Sequence, residues 1–247
     1  MTKYDDGKTL AAVVYERLRQ DILSCRLRPN HRLLLGELTQ AYDAGVSPIR
    51  EALSRLAADG LVVIESQRGA RVAPVSEEDL RDLLRVRQHI ESLALRWAIE
   101  HGDDEWEAGI VAAFHRLKKS LAKGSRSLIS DEESQARHDE FHLALVAACG
   151  SPRLLSWVGT IYDQTRRYRL IADYRRSWDS YVLEEHRAIM EATLARDADR
   201  ACALFEAHVV KTVRLAIENI AEVSELPAAD EGRIADAARR RAGLGRP

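Results

Sequence analysis

Residues 46–74, with the sequence VSPIREALSRLAADGLVVIESQRGARVAP, constrain the fold of the N-terminal part more than any other stretch. Ser47 is a favoured residue at a helix N-cap, and Pro48 suits the first helical position after it. The β-rich runs LVVIE and ARVAP then flank SQRG, a composition typical of a tight hairpin. The apolar residues between the cap and the hairpin fall on one helical face: Ile49, Leu53 and Leu56. The stretch therefore predicts a helix to about Ala58, followed by a β-hairpin.

Two further helices are predicted before this stretch. The segment LAAVVYERLRQDILSCRL, from Leu10 onward, carries apolar residues at helical spacing, and RPNH interrupts the pattern. The segment LGELTQAYDAG predicts a short helix that begins at Leu35 and ends at Gly45. Three helices followed by a hairpin predict a winged helix-turn-helix domain over residues 9–74.

Only helices are predicted beyond the linker VAPVSEED. Ser76 can cap the first of them, and the acidic residues in its first turn suit the helix dipole. The predicted helices span residues 77–101, 104–123, 131–148, 152–172, 178–195 and 197–222. The breaks between them are short, which favours antiparallel neighbours in one bundle. The expected fold is therefore mainly α: a winged N-terminal domain, an all-α bundle over residues 75–223, and a flexible tail over residues 224–247.

Composition places the chain among folded soluble proteins. Hydrophobic residues make up 46% and charged residues 31% of the chain, and no apolar run approaches the ~20 residues that cross a bilayer. The N-terminus has no apolar signal-peptide core, and Cys25, Cys149 and Cys202 form no CxxC pair. A cytoplasmic location with unpaired thiols is therefore expected. Residues 1–75 carry 11 basic and 9 acidic side chains and the remainder 26 and 30, so a mildly basic N-terminal domain precedes an acidic body.

The N-terminal domain has the residues expected at a DNA-contacting surface. The first amides of the third helix and the Ser47 hydroxyl can hold a phosphate, because helix N-termini attract anions. Arg50 lies opposite the apolar face, about one turn into that helix, where a recognition helix meets base edges. The hairpin tip could enter the minor groove, and arginines before the second helix could hold backbone phosphates. The candidates are Arg26, Arg32, Ser47, Pro48, Arg50, Arg55, Gln67, Arg68 and Gly69. Each alone is compatible with a solvated surface residue, but together they favour binding to a double-stranded DNA operator.

Residues 9–74 resemble the winged-helix domain of the GntR-type bacterial regulators, above all in SPIREALSRLAADGLV. The chain from there to about residue 222 resembles the all-helical FCD effector domain of the FadR branch, and AACGSPRLL and YDQTRRYR are similar to the carbon-starvation-induced subgroup. The resemblance implies a homodimeric, ligand-responsive transcription regulator, more often a repressor, with one winged domain on each half of a pseudo-palindromic operator. One position departs from the family. Many members carry an arginine that touches DNA where this chain has Val46, so the resemblance does not transfer the usual operator sequence.

Four histidines of the body lie on apolar helical faces. His138 and His142 are four residues apart beside Phe141, and His186 and His208 lie on the stripes of two later helices. A single histidine on such a stripe is more often a hydrogen-bonded core residue. Several histidines on separate helices can converge at the centre of a bundle, where metal sites are built, and imidazole suits Zn, Ni and related metals. The pattern therefore indicates a divalent metal ion as a candidate cofactor.

The resemblance implies a particular set of ligands. Metal-binding FCD domains use an Asp, then a His four residues later in DxxFH, and then one His on each of two further helices. His142, His186 and His208 match the three histidines. His138 stands at the position of the Asp, and Asp139 follows it. Three outcomes stay open: His138 replaces the carboxylate, Asp139 turns toward the metal, or the site binds metal weakly or not at all.

A small carboxylate is the expected effector. It would complete the open positions of the metal, while an arginine would clamp its far end, since Arg grips carboxylates bidentately. Arg87 is the first candidate for this clamp, followed by Arg166 and Arg167, although an arginine taken alone is more often a surface or ion-paired residue. The remaining body histidines are expected to be ordinary helix residues: His89, His101 and His115.

Three other functions compete with a carboxylate-responsive regulator. In a metal-sensing regulator the metal itself would be the signal. A helical metalloenzyme would need a base or nucleophile beside the metal, but the sequence has no Gly-rich phosphate loop and no HExxH or GxSxG motif. The third alternative, an architectural DNA-binding protein without a ligand, would not account for the long helical body. The sequence therefore favours a regulator and not an enzyme.

Overall fold

The computed structural model describes residues 8–65, 69–122, 132–172 and 180–224. The chain forms two compact units, whose boundary in the sequence falls between Val75 and Ser76. Each unit is described by itself below. Among the residues singled out from the sequence, Gln67, Arg68 and the tail from residue 225 onward lie outside the described residues.

In its described residues, the first unit contains three helices and a small antiparallel sheet. Its elements are α1 (Leu10–Leu23), β1 (Arg32–Leu33), α2 (Leu35–Tyr42), α3 (Val46–Ala58), β2 (Val62–Glu65) and β3 (Gly69–Val72). The strands pair in the order β1-β3-β2, with Glu65 opposite Gly69 across the predicted hairpin. The winged helix-turn-helix prediction is confirmed. Strand β1 has no signal in the sequence, because two residues are too short to show a period of two.

Three helix ends of the first unit differ from the sequence prediction. Helix α1 ends at Leu23, although the apolar pattern continues to Leu27. The N-cap of α3 is Gly45, with no side-chain capping bond, so Ser47 is not the cap and Pro48 occupies the third helical position. Proline is tolerated there because the first-turn amides of a helix have no intrahelical partner to lose. Helix α2 ends at Tyr42 rather than at Gly45, because Asp43 adopts a left-handed conformation with φ of 49°.

The helices of the first unit enclose one apolar core. The fully buried side chains of α1 and α3 supply its centre: Val14, Leu18, Ile22, Ile49 and Leu56. Val72 of β3 closes the core from the sheet. Burial of one face of α3 leaves the opposite face, which carries Arg50, exposed to solvent.

The second unit contains helices only, within the part of the chain that the structure describes. They are α4 (Glu77–His101), α5 (Asp104–Ala122), α6 (Glu132–Val146), α7 (Pro152–Ala172), α8 (Ser180–Leu194) and α9 (Ala198–Ser224). The ends of these helices lie within two residues of the predicted ends. Ser76 caps α4 as predicted, since its hydroxyl accepts the Asp79 N–H at 3.1 Å.

The helices of the second unit pack around one interior. Helix α4 lies against α7 and α9, α5 lies against α6 and α8, and α9 also contacts α7 and α8. Large apolar side chains from five of these helices fill the centre: Ile110, Leu117, Phe141, Leu145, Ile189 and Val209, with Leu95 of α4. The predicted all-α bundle is confirmed, and it surrounds the positions of the four candidate histidines.

No described helix is both long enough and apolar enough to span a membrane. Cys25, Cys149 and Cys202 are all free thiols, as their spacing predicted. Cys149 and Cys202 are buried in the core of the second unit.

Candidate metal centre and nucleic-acid interface

Three helices bring four imidazole rings together inside the second unit. Helix α6 contributes His138 and His142 one turn apart, α8 contributes His186, and α9 contributes His208. At ~1.5 Å of rise per residue, His186 lies about 12 Å before the end of α8 and His208 about 15 Å after the start of α9. Neighbouring helices that run in opposite directions therefore place these two rings at a similar level. One ring nitrogen of each histidine lies within 4.8 Å of those of the other three.

The distances between the ring nitrogens fit a shared metal ion better than hydrogen bonding alone. Nε2 of His142 lies 3.2 Å from Nε2 of His138 and 3.1 Å from Nε2 of His186. A neutral imidazole nitrogen offers either one N–H or one lone pair, so it cannot make two linear hydrogen bonds at once. Nitrogen ligands about 2.1 Å from a tetrahedral Zn²⁺ lie roughly 3.4 Å apart. The donor set therefore fits a divalent transition metal.

The histidine cluster is enclosed by protein. His142 and His186 are fully buried, while His138 and His208 are 3% and 7% exposed. The rings of Phe141, Tyr162 and Phe205 lie 5.4, 5.9 and 6.0 Å from the ring of His142. Burial lowers the pKa of His142 well below its ordinary value of 6.5, and the neighbouring histidines and Arg87 lower it further. The ring is therefore neutral, which is the form that binds metals.

The metal-free protein is expected to lose stability as the pH falls from 7 to 5. The unfolded chain protonates a histidine near pH 6.5, whereas folded His142 stays neutral because its pKa is lowered. Between the two pKa values the unfolded state binds the extra proton, so this residue lowers the free energy of unfolding by up to about 1.4 kcal/mol per pH unit. Urea unfolding with a chelator present measures the slope. The slope should shrink in His142→Gln and persist in His115→Gln, which alters an exposed ring. Equal stability of the wild type at pH 7 and pH 5 would contradict the assignment.

The structure places His138, and not Asp139, in the cluster. The Asp139 carboxylate lies beside the cluster instead: Oδ1 is 3.5 Å from Nδ1 of His138, and Oδ2 is 3.9 Å from Nη1 of Arg166. Nδ1 of His208 donates to Oε2 of Glu185 at 3.0 Å, which leaves Nε2 as the ring nitrogen of His208 available to a metal. The four candidate ligands are thus all imidazoles, and the carboxylates are their neighbours.

Arg87 is buried and paired within the bundle. Its Nε donates to Oε1 of Glu91 at 2.5 Å, and the other carboxylate oxygen accepts the Tyr162 hydroxyl at 2.8 Å. The guanidinium also lies over the Tyr162 ring, 5.1 Å from its centroid. Because the Tyr162 ring in turn contacts His142, this charged network adjoins the histidine cluster. The sequence did not single out Glu91 or Tyr162. An Arg and a Glu four residues apart on a helix usually form a surface pair, and nothing in the local pattern identifies the tyrosine.

The other residues that the sequence analysis named in the second unit differ in their exposure to solvent. Arg166 and Arg167 lie on α7 and are largely withdrawn from solvent, with the Arg166 side chain 11% exposed and Arg167 2% exposed. The remaining histidines, in contrast, are exposed helix residues: His89, His101 and His115. The first two hydrogen-bond to backbone carbonyls one turn earlier on α4, as ordinary helix residues do.

The exposed face of α3 carries the residues predicted to meet DNA. Ser47 lies exposed in the first turn, where the amide groups point outward, and Pro48 is half-buried beside it. Arg50 is exposed and makes no hydrogen bond or ion pair with the described residues. Gly69, at the base of the hairpin tip, is exposed with φ of 90°, a conformation that strains any residue with a Cβ.

Two other candidate arginines of the first unit, Arg26 and Arg55, have partners within it. Arg26 forms an ion pair with Asp21 at 2.9 Å, with 37% of its side chain exposed. Arg32 is exposed on β1. The guanidinium of Arg55 lies 4.0 Å from the centroid of the Tyr15 ring, which directs it toward α1. Arg50 is therefore the arginine of α3 that is available for a base contact.

Known proteins match both units. The profile described as "Bacterial regulatory proteins, gntR family" matches residues 10–72, and the profile described as "FCD domain" matches residues 82–211. The HTH-type transcriptional repressor GlaR of Escherichia coli is 38% identical over 81% of this chain and 92% of its own length. The HTH-type regulator BphR of Paraburkholderia xenovorans is 36% identical over 83% of this chain and 84% of its own length. The solved structure of E. coli McbR/YncC has the same fold, with a TM-score of 0.74 and 18% identity over 85% of this chain and 98% of its own.

Proposed function

The chain belongs to the gntR family of bacterial regulatory proteins and carries an FCD domain, and we propose that it represses transcription until a small carboxylate binds its second unit. The family makes it a DNA-binding transcription regulator rather than an enzyme. The observation that carries the proposal is the convergence of four buried imidazoles from three helices. Such a donor set is costly to bury unless a ligand uses it.

The proposed metal ligands are the four histidines of the cluster: His138, His142, His186 and His208. All four offer imidazole nitrogens, which suit Zn²⁺ or Ni²⁺ better than hard ions such as Mg²⁺. When bound, the ion supplies positive charge and any open coordination position to an anionic effector. The surrounding Phe141, Tyr162 and Phe205 rings exclude water and so strengthen electrostatic interactions there.

The proposed effector clamp is an arginine next to the cluster. Arg87 is held by Glu91, and separating a buried ion pair is costly, so an effector would have to replace that carboxylate. Arg166 faces the Asp139 carboxylate at the longer distance of 3.9 Å, and its side chain keeps some exposure. The proposed clamp is Arg87, with Arg166 and Arg167 of α7 as the alternatives. A carboxylate is the matching ligand because guanidinium binds it through two parallel hydrogen bonds.

The proposed assembly is a cytoplasmic homodimer on a pseudo-palindromic operator. Two-fold operators match proteins with two recognition helices related by symmetry. Helix α4 offers an apolar face to a second copy, since Val86, Leu93 and Trp97 are exposed at helical spacing. The effector would act by favouring the body geometry that spaces the two recognition helices wrongly for the operator.

A second candidate, a regulator that senses the metal itself, is favoured by the number of ligands. Four protein ligands complete a tetrahedral shell, as in closed structural zinc sites, and leave no open position for a carboxylate. In that case operator binding would follow the metal concentration without any acid present.

A thermal-shift screen, together with operator binding measured over a Zn²⁺ titration, tests both candidates. Purified protein is heated with small mono- and dicarboxylates, with and without Zn²⁺ and a chelator. An acid present at 100 times its Kd should add about 2.7 kcal/mol of stability in the metal-loaded protein, and the added stability should fall after chelation. If no acid shifts the midpoint while Zn²⁺ alone changes operator binding, the metal-sensing candidate replaces the carboxylate one.

Replacing Arg50 by alanine is expected to weaken operator binding by about 5- to 160-fold. This range corresponds to the ~1–3 kcal/mol of a good base contact. The exposed Arg50 side chain has no hydrogen bond or ion pair with the described residues that would have to break before it contacts a base. The operator is obtained by selection from random duplexes, and affinity is measured by fluorescence anisotropy at fixed salt. Arg85→Ala is the control, because it removes an exposed arginine from the second unit. Equal affinities of Arg50→Ala and Arg85→Ala would rule out a base contact by Arg50.

A further inference from the structure

We propose that Glu185 is a positioning residue of the metal site, which fixes the tautomer and the ring orientation of His208. Oε2 of Glu185 accepts a hydrogen bond from Nδ1 of His208 at 3.0 Å. Metal-binding histidines commonly donate their outer N–H to a carboxylate in this way. The inference rests on the metal binding proposed above and assigns a role to a residue that supplies no ligand atom.

The Glu185 carboxylate is itself held in place. Its other oxygen, Oε1, accepts a hydrogen bond from Nζ of Lys211 at 2.6 Å. Lys211 follows His208 by three residues on α9, so the two hydrogen-bond partners of Glu185 lie on the same face of that helix. Glu185 also directly precedes His186 on α8. The same carboxylate is therefore adjacent in sequence to the proposed ligand His186 and hydrogen-bonded to the proposed ligand His208.

The position of the proton on the His208 ring follows from this contact. A carboxylate only accepts, so Nδ1 of His208 must carry a hydrogen, and in the neutral ring Nε2 then presents a lone pair. Without Glu185 either ring nitrogen can carry the hydrogen, and in one tautomer Nε2 would be protonated and unable to bind a metal. Glu185 therefore selects the tautomer that the metal needs. Loss of such a partner commonly weakens metal affinity by about 10- to 100-fold.

The contact also balances charge. The four imidazole ligands bring no negative charge to a divalent ion, because His138 takes the place at which the resemblance implies a carboxylate. A carboxylate on the outer nitrogen makes the His208 ring a more basic ligand. Glu185 thus supplies through His208 part of the negative charge that the ligand set lacks.

The test compares Zn²⁺ and Co²⁺ binding by the full chain carrying Glu185→Ala, Glu185→Gln or Glu184→Gln. The last is the matched control, since Glu184 is the preceding residue, has the same charge and pairs with Arg187 at the surface. Zn²⁺ affinity is measured by competition with a chelating dye, and the Co²⁺ absorption spectrum reports the ligand field. Glu185→Ala should weaken Zn²⁺ binding about 10- to 100-fold and change the Co²⁺ bands. Glu185→Gln should lose less, because its amide oxygen can still accept from Nδ1, and Glu184→Gln should match the wild type.

A second readout keeps this inference separate from the proposed metal function. Ring ¹⁵N shifts of His208 in the metal-free protein report which nitrogen carries the hydrogen. The wild type should show the Nδ1–H form, and Glu185→Ala should show a mixture. The same tautomer in both proteins, or Zn²⁺ affinity of Glu185→Ala within twofold of the wild type with unchanged Co²⁺ bands, would overturn the role of Glu185. If the wild type binds neither metal, the metal proposal fails, and the tautomer comparison still decides whether Glu185 orients the ring.

Discussion

Metal removal is expected to lower the free energy of unfolding by about 4 kcal/mol, in protein previously held at 1,000 times the metal Kd. For a chain of this size the melting midpoint should fall by roughly 8–16 °C. The physical reason is that a metal binds the four buried imidazoles only where the fold brings them together, and the unfolded chain does not hold them within 4.8 Å of one another. Calorimetry of Zn²⁺-loaded and chelator-treated protein measures the difference.

Two histidine variants serve as the comparison for metal removal. His142→Gln removes the ring whose Nε2 lies within 3.2 Å of two other ring nitrogens, so its midpoint should respond to neither metal nor chelator. His115→Gln changes an exposed ring on α5 and should keep the full response. If His142→Gln is too unstable to purify, His208→Gln takes its place, because that ring lies nearer the surface. Identical midpoints of the loaded and stripped wild type would show that the cluster holds no metal.

Replacing Glu91 by alanine is expected to destabilise the metal-free protein by about 3–5 kcal/mol. Glu91 is fully buried and Arg87 is 3% exposed, so the change leaves a positive charge inside the bundle without its partner. The Tyr162 hydroxyl loses its acceptor at the same time. Urea unfolding followed by circular dichroism measures the loss.

The surface pair Arg214–Glu218 provides a matched control for Glu91. It has the same order and spacing, with Arg four residues before Glu, but its side chains are 81% and 56% exposed. Glu218→Ala should cost less than about 0.5 kcal/mol, because water screens the exposed charges. The double change of Arg87→Met with Glu91→Leu should recover much of the stability lost in Glu91→Ala. If Glu91→Ala and Glu218→Ala lowered the free energy of unfolding equally, the buried pair would contribute no more to stability than the surface pair.

Local patterns were sufficient to predict most of the fold. The start of α1 and both ends of α4 follow from apolar periodicity, and the cap of α4 was predicted correctly, since the Ser76 hydroxyl accepts an amide hydrogen bond in the first turn. The end of α1 was not predicted, because the apolar pattern continues to Leu27 while the helix ends at Leu23. The hairpin follows from two β-rich runs around a short turn. The start of α3 was misplaced, because Ser47 and Pro48 have the residue types of a cap and a first position while the chain already turns helical at Val46. Strand β1 was missed because it forms only through its pairing with β3, far along the chain.

For the candidate site, the sequence and the tertiary structure each determined a different part. The sequence by itself determined that four histidines lie on buried helical faces, because the period of a helix decides which side chains point inward. Only the tertiary structure decided which buried groups meet: His142 with His186 across 44 residues, and Tyr162 with Glu91 across 71. It also gave Arg87 a carboxylate partner within the protein and paired Glu185 with His208. A helical pattern specifies the direction of a side chain, whereas its partner depends on how helices distant in the sequence pack against one another.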